Sequence, residues 1–292
     1  MDPFLELHGP GDTRIGLNEI SMRGEGFEAG PGVAGLGMPP VAPQWVEGAG
    51  DGASWRGMRA LPRDIDIPLH ITGTHRGRLD AHLGRLTRLL SGAMELRWIT
   101  GREWWSLPVY YTGGLDYTYS SDTGATWINT VISLRSPDPW WSYYTTDAIS
   151  VGRRETATAA AGWGLLDGHS LSGLRLSPSP VSGPMEPHNT GSAPAWSTIT
   201  VTGPGATLRV STDAATWFTW NGRLRRGEEL VIDTEQATLT DSGGTSRYGQ
   251  LAAGPRFHPL QPGPNRLLFS FDETTPATGI EIRWRKRAWT VI

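Results

Sequence analysis

The chain has 292 residues, 38% hydrophobic and 19% charged, with a formal net charge of −3, which suits a folded protein with room for two domains. Cysteine is absent, which excludes disulfides, thiolate metal sites and cysteine nucleophiles. The charge leaves no overall nucleic-acid footprint, although residues 1–149 carry 12 arginines against 17 acidic residues, net −5, and residues 150–292 are net +2.

Thirty-eight glycines and 22 prolines point to a mainly β fold with many turns. No apolar run approaches the roughly 20 residues that cross a bilayer. Met1-Asp2-Pro3-Phe4 lacks a signal peptide's basic and apolar segments, so the expectation is neither a membrane protein nor a classically secreted one.

Ile15 to Phe27 reads as a first strand region. From Gly30 to Gly52 the pattern is aperiodic and full of breakers. Its Met38 and Trp45, with Trp55 just beyond, want a surface to bury against, so an arm over about 30–57 is expected to lie on a neighbouring subunit. Gly30-Pro31-Gly32-Val33-Ala34-Gly35 matches GxGxxG formally, but Leu36-Gly37-Met38-Pro39-Pro40 cannot start the helix that a dinucleotide site needs.

Asp64 to Ile71 alternates, with Ile65, Ile67, Leu69 and Ile71 on one face, and Pro68 biases this strand to an edge or bulge. Leu79, Leu83, Leu86 and Leu90 define one amphipathic helix, with Gly92 as its expected C-cap. Met94 to Ile99, Trp104 to Tyr111 and Ala125 to Leu134 supply further strands.

Ser136-Pro137-Asp138-Pro139-Trp140-Trp141 then makes a rigid, aromatic corner. Pro137, Asp138, Pro139, Trp140 and Trp141 are expected to join two domains, 1–143 and 144–292, with the tryptophans packing the joint.

In the second half Trp217-Phe218-Thr219-Trp220, Asn221-Gly222 and Arg223-Leu224 signal a type I′ hairpin. Thr238 to Tyr248 reads as a hairpin with a longer loop, and Ile280 to Arg285 as a strand with one buried face. Together they suggest a jelly-roll β-sandwich.

Chemistry is sparse. His70, His75 and His82 lack ligand spacing, Gly168 to Ser172 fails the GxSxG elbow at its last position, and the lone lysine, Lys286, excludes a Walker loop. Glu95, Glu103, Asp213 and Asp233 could supply a glycosidase pair, but nothing singles one out. No catalytic residue, metal or cofactor is expected. Trp217 and Trp220 are candidate glycan contacts, weighed against the commoner use of tryptophan in sandwich cores.

Pro187-His188-Asn189-Thr190-Gly191-Ser192-Ala193-Pro194, Arg226-Gly227-Glu228-Glu229-Leu230-Val231-Ile232-Asp233-Thr234 and Leu260-Gln261-Pro262-Gly263-Pro264-Asn265 follow one another in this order. They resemble the siphophage distal tail protein family, with its Asn-x-Gly-x-Ala-Pro, Gly-Glu-x-Leu-x-Ile-Asp-Thr and Leu-x-Pro-Gly-x-Asn segments. The 63–71 strand, the leucine helix and Asp138-Pro139-Trp140-Trp141 resemble that family's first domain and its exit.

The resemblance implies a structural virion protein of a long non-contractile tail. Its first domain would be tail-tube-like, with one helix and a belt loop, and its second a galectin-like sandwich. It implies a ring, commonly hexameric, between tail tube and tip or baseplate, holding a conduit through which DNA passes unbound. Implied partners are tail tube, tape measure, hub and receptor-binding proteins. The alternative is a carbohydrate-binding tail adhesin.

Overall fold

The computed structural model describes residues 3–118, 125–152, 182–212 and 215–291. The near-elbow at Gly168 to Ser172 and the candidate carboxylate Asp213 lie outside them. The chain forms two compact units, residues 1–144 with 287–292, and residues 145–286. The last residues, expected within the second half, thus return to the first unit.

In the first unit, strands β1 (Phe4–His8), β2 (Arg14–Gly16), β3 (Gly26–Ala29), β6 (Arg63–Thr72), β7 (Met94–Thr100), β8 (Glu103–Gly114) and β9 (Trp127–Ser136) form an antiparallel sheet. Their order is β2-β1-β7-β8-β9-β6-β3. Strand β10 (Trp141–Tyr143) pairs with β8 and with the final strand at 287–288. Two further strands, β4 (Val41–Glu47) and β5 (Ala53–Ala60), pair only with each other.

The alternation in β6 holds: Ile65, Ile67, Leu69 and Ile71 are buried. Pro68 stands at a local edge of β6, just past the end of its β3 partner. Its carbonyl accepts from Gly30 N at 2.8 Å, so its missing N–H also points to the β3 side, past the last β3 pair, Ala29 with Leu69. The proline costs the sheet no ladder bond there.

Helix α2 (Arg76–Leu90) lays Leu79, Leu86 and Leu90 into the core with Leu89 and His82, while Leu83 is half-buried. Each fully buried leucine contributes about 2 kcal/mol. The helix ends on Ser91, not on a left-handed Gly92: Ser91 N donates to Thr87 O (3.1 Å) and Ser91 Oγ to Arg88 O (2.8 Å).

The expected strand at 15–27 breaks into β2, a one-turn helix α1 (Glu19–Arg23) and β3. Gly24 at φ +78° closes that turn.

The second unit is a β-sandwich. One sheet is β11 (Asp147–Gly152), β21 (Gly279–Trp284), β14 (Ser197–Thr202), β17 (Glu229–Asp233) and β18 (Thr238–Asp241), in that order. The other is β12 (Gly183–Met185), β20 (Leu267–Asp272), β15 (Gly205–Ser211) and β16 (Thr216–Leu224). Short strands β13 (His188–Asn189) and β19 (Gly263–Pro264) pair separately, and the 287–288 strand is β22. Ile199, Val201, Ile232 and Ile282 from the first sheet share a core with Leu208, Val210, Phe269 and Phe271 from the second.

No hairpin forms at Asn221-Gly222. Strand β16 runs through it, and neither residue adopts positive φ. Gly222 serves a different need: a Cβ there would stand 2.0 Å from the Trp220 ring, which lies across it.

Candidate assembly surface

The aperiodic arm begins in the sheet. After β3, Gly30 bonds Pro68, and Ala34 exchanges backbone bonds with Asp66 (2.9 and 3.3 Å), so the segment follows the outer side of β6. No helix follows the GxGxxG match. Its last glycine, Gly35, has φ +87°, and a Cβ there would sit 2.1 Å from Asp64 O.

Arg63, 1% exposed at the start of β6, then gathers the chain. Its Nη1 donates to Gly35 O (2.8 Å) and Gly37 O (2.6 Å), its Nε and Nη2 to Pro139 O, and Nη2 also to Trp289 O (2.9 Å). Trp141 Nε1 donates to Leu36 O at 3.3 Å, and its ring lies 5.7 Å from the Arg63 guanidinium. Burial lowers Arg63 to about 10, against the opposing charge of Asp138, so it stays protonated at neutral pH.

From this root the 41–60 hairpin projects, closed at its base by Leu61 N donating to Pro40 O (2.8 Å). The arm is therefore a ribbon and not an irregular loop. The register puts Val41 opposite Ala60, Pro43 opposite Met58 and Trp45 opposite Trp55. Cross-strand partners share a face, so these six residues form one apolar side.

A shift between Gln44 and Trp45 makes this possible. Gln44 pairs Gly57 and Trp45 pairs Trp55, which leaves Arg56 as the extra residue. Gly57, at φ +141°, accommodates the bulge, and the insertion brings Trp55 to the side of Met58. Trp45 and Trp55 are each 58% exposed, and Met38, Val41 and Met58 are exposed too.

The corner residues pack within the first unit. Asp138 Oδ1 accepts from Trp140 N (3.1 Å), Ser136 Oγ donates to Asp138 O (2.7 Å), and Arg287 pairs with the Asp138 carboxylate. Arg287 lies over the Trp140 ring (4.8 Å), Trp140 meets Trp289 edge-on (6.0 Å), and Trp141 is wholly buried. Pro137 and Pro139 bracket this turn, whose carbonyl at 139 feeds Arg63.

Trp217 and Trp220 are core residues, 6% and 1% exposed. Arg256 N donates to Trp217 O (2.6 Å), and His258 lies 5.6 Å from the Trp217 ring. The segment after residue 250 therefore covers them, and neither offers a face for a sugar. Among the described residues no group of His, Asp and Glu could hold a metal ion, and no helix is long and apolar enough to cross a membrane.

The second-half motifs prove to be turn supports that converge. Asn189 Nδ2 donates to Ala193 O (2.9 Å) and Leu260 O (3.2 Å), while its Oδ1 accepts from Gly191 N (3.0 Å). Asn265 exchanges bonds with Gln261 N and O (both 2.8 Å), and Thr234 Oγ1 with Ser197 N and O (3.0 and 2.7 Å). Sequence reasoning missed Arg63, because one arginine opening a strand carries no pattern.

The described residues thus form two β units with backbone-bonding turn motifs and one projecting ribbon. Residues 190–288 match the family described as the siphovirus-type tail component, C-terminal domain. Over the whole chain the fold is similar to that of SPP1 Dit, described as a paradigm of the hub adsorption apparatus in Gram-positive infecting phages. That likeness has a TM-score of 0.66 at 11% identity and covers 97% of this chain and 98% of that one.

The phage P2 baseplate in its activated conformation also matches. With Ca the identity is 12% and the TM-score 0.49, and with Sr they are 13% and 0.47, covering 100% of both chains in each case. No curated protein matches the sequence. The resemblance to siphophage distal tail proteins thus meets a family match over residues 190–288 and a similar fold along the chain.

Proposed function

We propose that this protein is a ring-forming distal tail protein of a long non-contractile phage tail. It joins the tail tube to the tip or baseplate hub and keeps a conduit open for DNA, acting by assembly and not by catalysis. The apolar side of the 41–60 hairpin carries this reading. A lone two-stranded ribbon is marginal in water, and a contiguous exposed apolar side calls for a covering surface.

A second copy of the chain supplies that surface, which makes the arm the inter-subunit belt with Met38, Trp45 and Trp55 in its contact. Head-to-tail contacts of this kind give a ring when the rotation between copies closes. The net acidity of the first half suits a lumen that DNA traverses without sticking. A galectin-like second unit would then carry the receptor-binding proteins.

Replacing residues 41–60 by two glycines between Pro40 and Leu61 leaves the root bonds in place. Both units should stay folded by circular dichroism, while rings seen by negative-stain microscopy should vanish. Intact rings would refute the belt, and a full-length chain that stays monomeric at high concentration would refute the ring.

A further inference from the structure

We propose that the cleft between the end of α2 and the open edge of β2 receives an extended acidic segment of a partner protein. Strand β2 is the terminal strand of the first unit's sheet. Beside it lies a cavity of about 510 Å³, whose lining includes Arg14, Arg85 and Arg88 with Ile15 and Leu89. A second hollow of about 330 Å³ shares Arg14 and Arg85 and extends to Gly16 and Arg23.

The arginines have little to do on their own chain. Among the described residues Arg85 pairs with Glu19 at 2.9 Å, whereas the Arg14 and Arg88 side chains enter no ion pair or hydrogen bond. An arginine in a helix's last turn ordinarily serves the free carbonyls there. In α2 those of Thr87, Arg88 and Leu89 already accept, from Ser91 N, Ser91 Oγ and Gly92 N (3.1, 2.8 and 3.4 Å).

Three guanidinium groups thus line one cleft whose described lining holds no carboxylate, although residues 1–149 carry 12 arginines against 17 acidic residues. Gathered like charges repel, and an anionic occupant relieves that repulsion. In the adjoining hollow the carboxylates are engaged, Glu6 by His8 and Glu19 by Arg85.

The strand edge selects an extended chain as the occupant. Gly9 N donates to Thr13 O and Leu17 N to Leu5 O, so the ladder to β1 uses residues 13, 15 and 17. Arg14 and Gly16, opposite His8 and Glu6, therefore turn their N–H and C=O groups away from β1. Arg85 Nη2 holds Arg14 O. The Arg14 N–H and both backbone groups of Gly16 are left open among the described residues, as a strand edge that adds a peptide must leave them. Backbone pairing along β2 would set a segment's carboxylates beside Arg14 and Arg88.

Binding of fluorescein-labelled oligoglutamate to the full chain, read by anisotropy, tests this. We expect saturable binding that the oligoglutamine counterpart lacks. A chain carrying Arg14→Glu and Arg88→Glu should bind at least about tenfold more weakly, with no loss of thermal stability. Arg56→Glu with Arg59→Glu, the same charge change on the arm, should bind as the parent does. Amide hydrogen exchange at Arg14 and Gly16 should slow when the peptide binds.

Equal loss in the two double variants, or equal binding of oligoglutamine, would overturn the acidic recognition. Unchanged exchange at Arg14 and Gly16 would overturn the strand addition. Polyphosphate that displaces the peptide and binds more tightly would replace the peptide by a phosphate polymer. Rings lost in the Arg14→Glu, Arg88→Glu chain would make the cleft a contact between copies and overturn the partner.

Discussion

Arg63 donates through both Nε and Nη2 to the carbonyl oxygen of Pro139, at 3.2 and 2.6 Å. The same guanidinium reaches Gly35, Gly37 and Trp289. One buried cation thus ties the root of the arm, the proline corner and the returning end of the chain to the start of β6.

Arg63→Met should destabilise the first unit by about 2 kcal/mol, since it removes the charged donor from the carbonyls of Gly35, Gly37, Pro139 and Trp289. Arg63→Lys should restore little of this, because an ammonium cannot span the fork's directions. Urea denaturation of both variants measures the effect, and a loss below about 0.5 kcal/mol would show that the carbonyls find other donors.

Gly35→Ala and Gly37→Ala should differ sharply. At Gly35 the positive φ and the 2.1 Å approach to Asp64 O both resist a side chain, whereas a Cβ at Gly37 meets nothing within 4 Å. We expect a cost of at least about 1 kcal/mol for the first and near neutrality for the second, read as thermal midpoints.

The tryptophans should divide into two kinds. Trp141→Ala removes a wholly buried ring and should cost about 3–5 kcal/mol. Trp45→Ala with Trp55→Ala should leave unfolding within about 0.5 kcal/mol of the parent while abolishing rings, which light scattering follows.

Acid should weaken the first unit in two steps. Burial, with the charge of Arg78, lowers the His82 pKa. The unfolded chain therefore takes that proton first, and stability present above about pH 6.5 falls as the pH drops below it.

Glu25 is held at about 2, chiefly by its hydrogen bonds from Arg78 and Thr74 N. Its contribution is complete above the ordinary carboxylate range and is lost as the pH falls through about 2. Melts from pH 8 to pH 2 should show both limbs. His82→Asn should flatten the upper one and Arg78→Ala the lower, and an unchanged profile in either variant would reject its assignment.

Local chemistry made part of this protein legible from its residues alone. The alternation of β6, the leucine spacing of α2 and the turn residues from Asn189 to Asn265 each act over a few positions, so their reading survives folding. The apolar arm was visible as a breaker-rich stretch with tryptophans, but its two strands and single apolar side were not, because a one-residue bulge at Arg56 sets which way Trp55 faces.

Tertiary structure alone decided the rest. Asn221-Gly222 became the middle of a strand because the Trp220 ring needed the space over a glycine. Trp217 went inside because a segment from beyond residue 250 covers it, and Arg63 became a hub because four distant carbonyls converge on it. A strand or helix face is written in neighbouring residues, whereas what covers that face is brought by chain far away, and only the folded molecule brings it there.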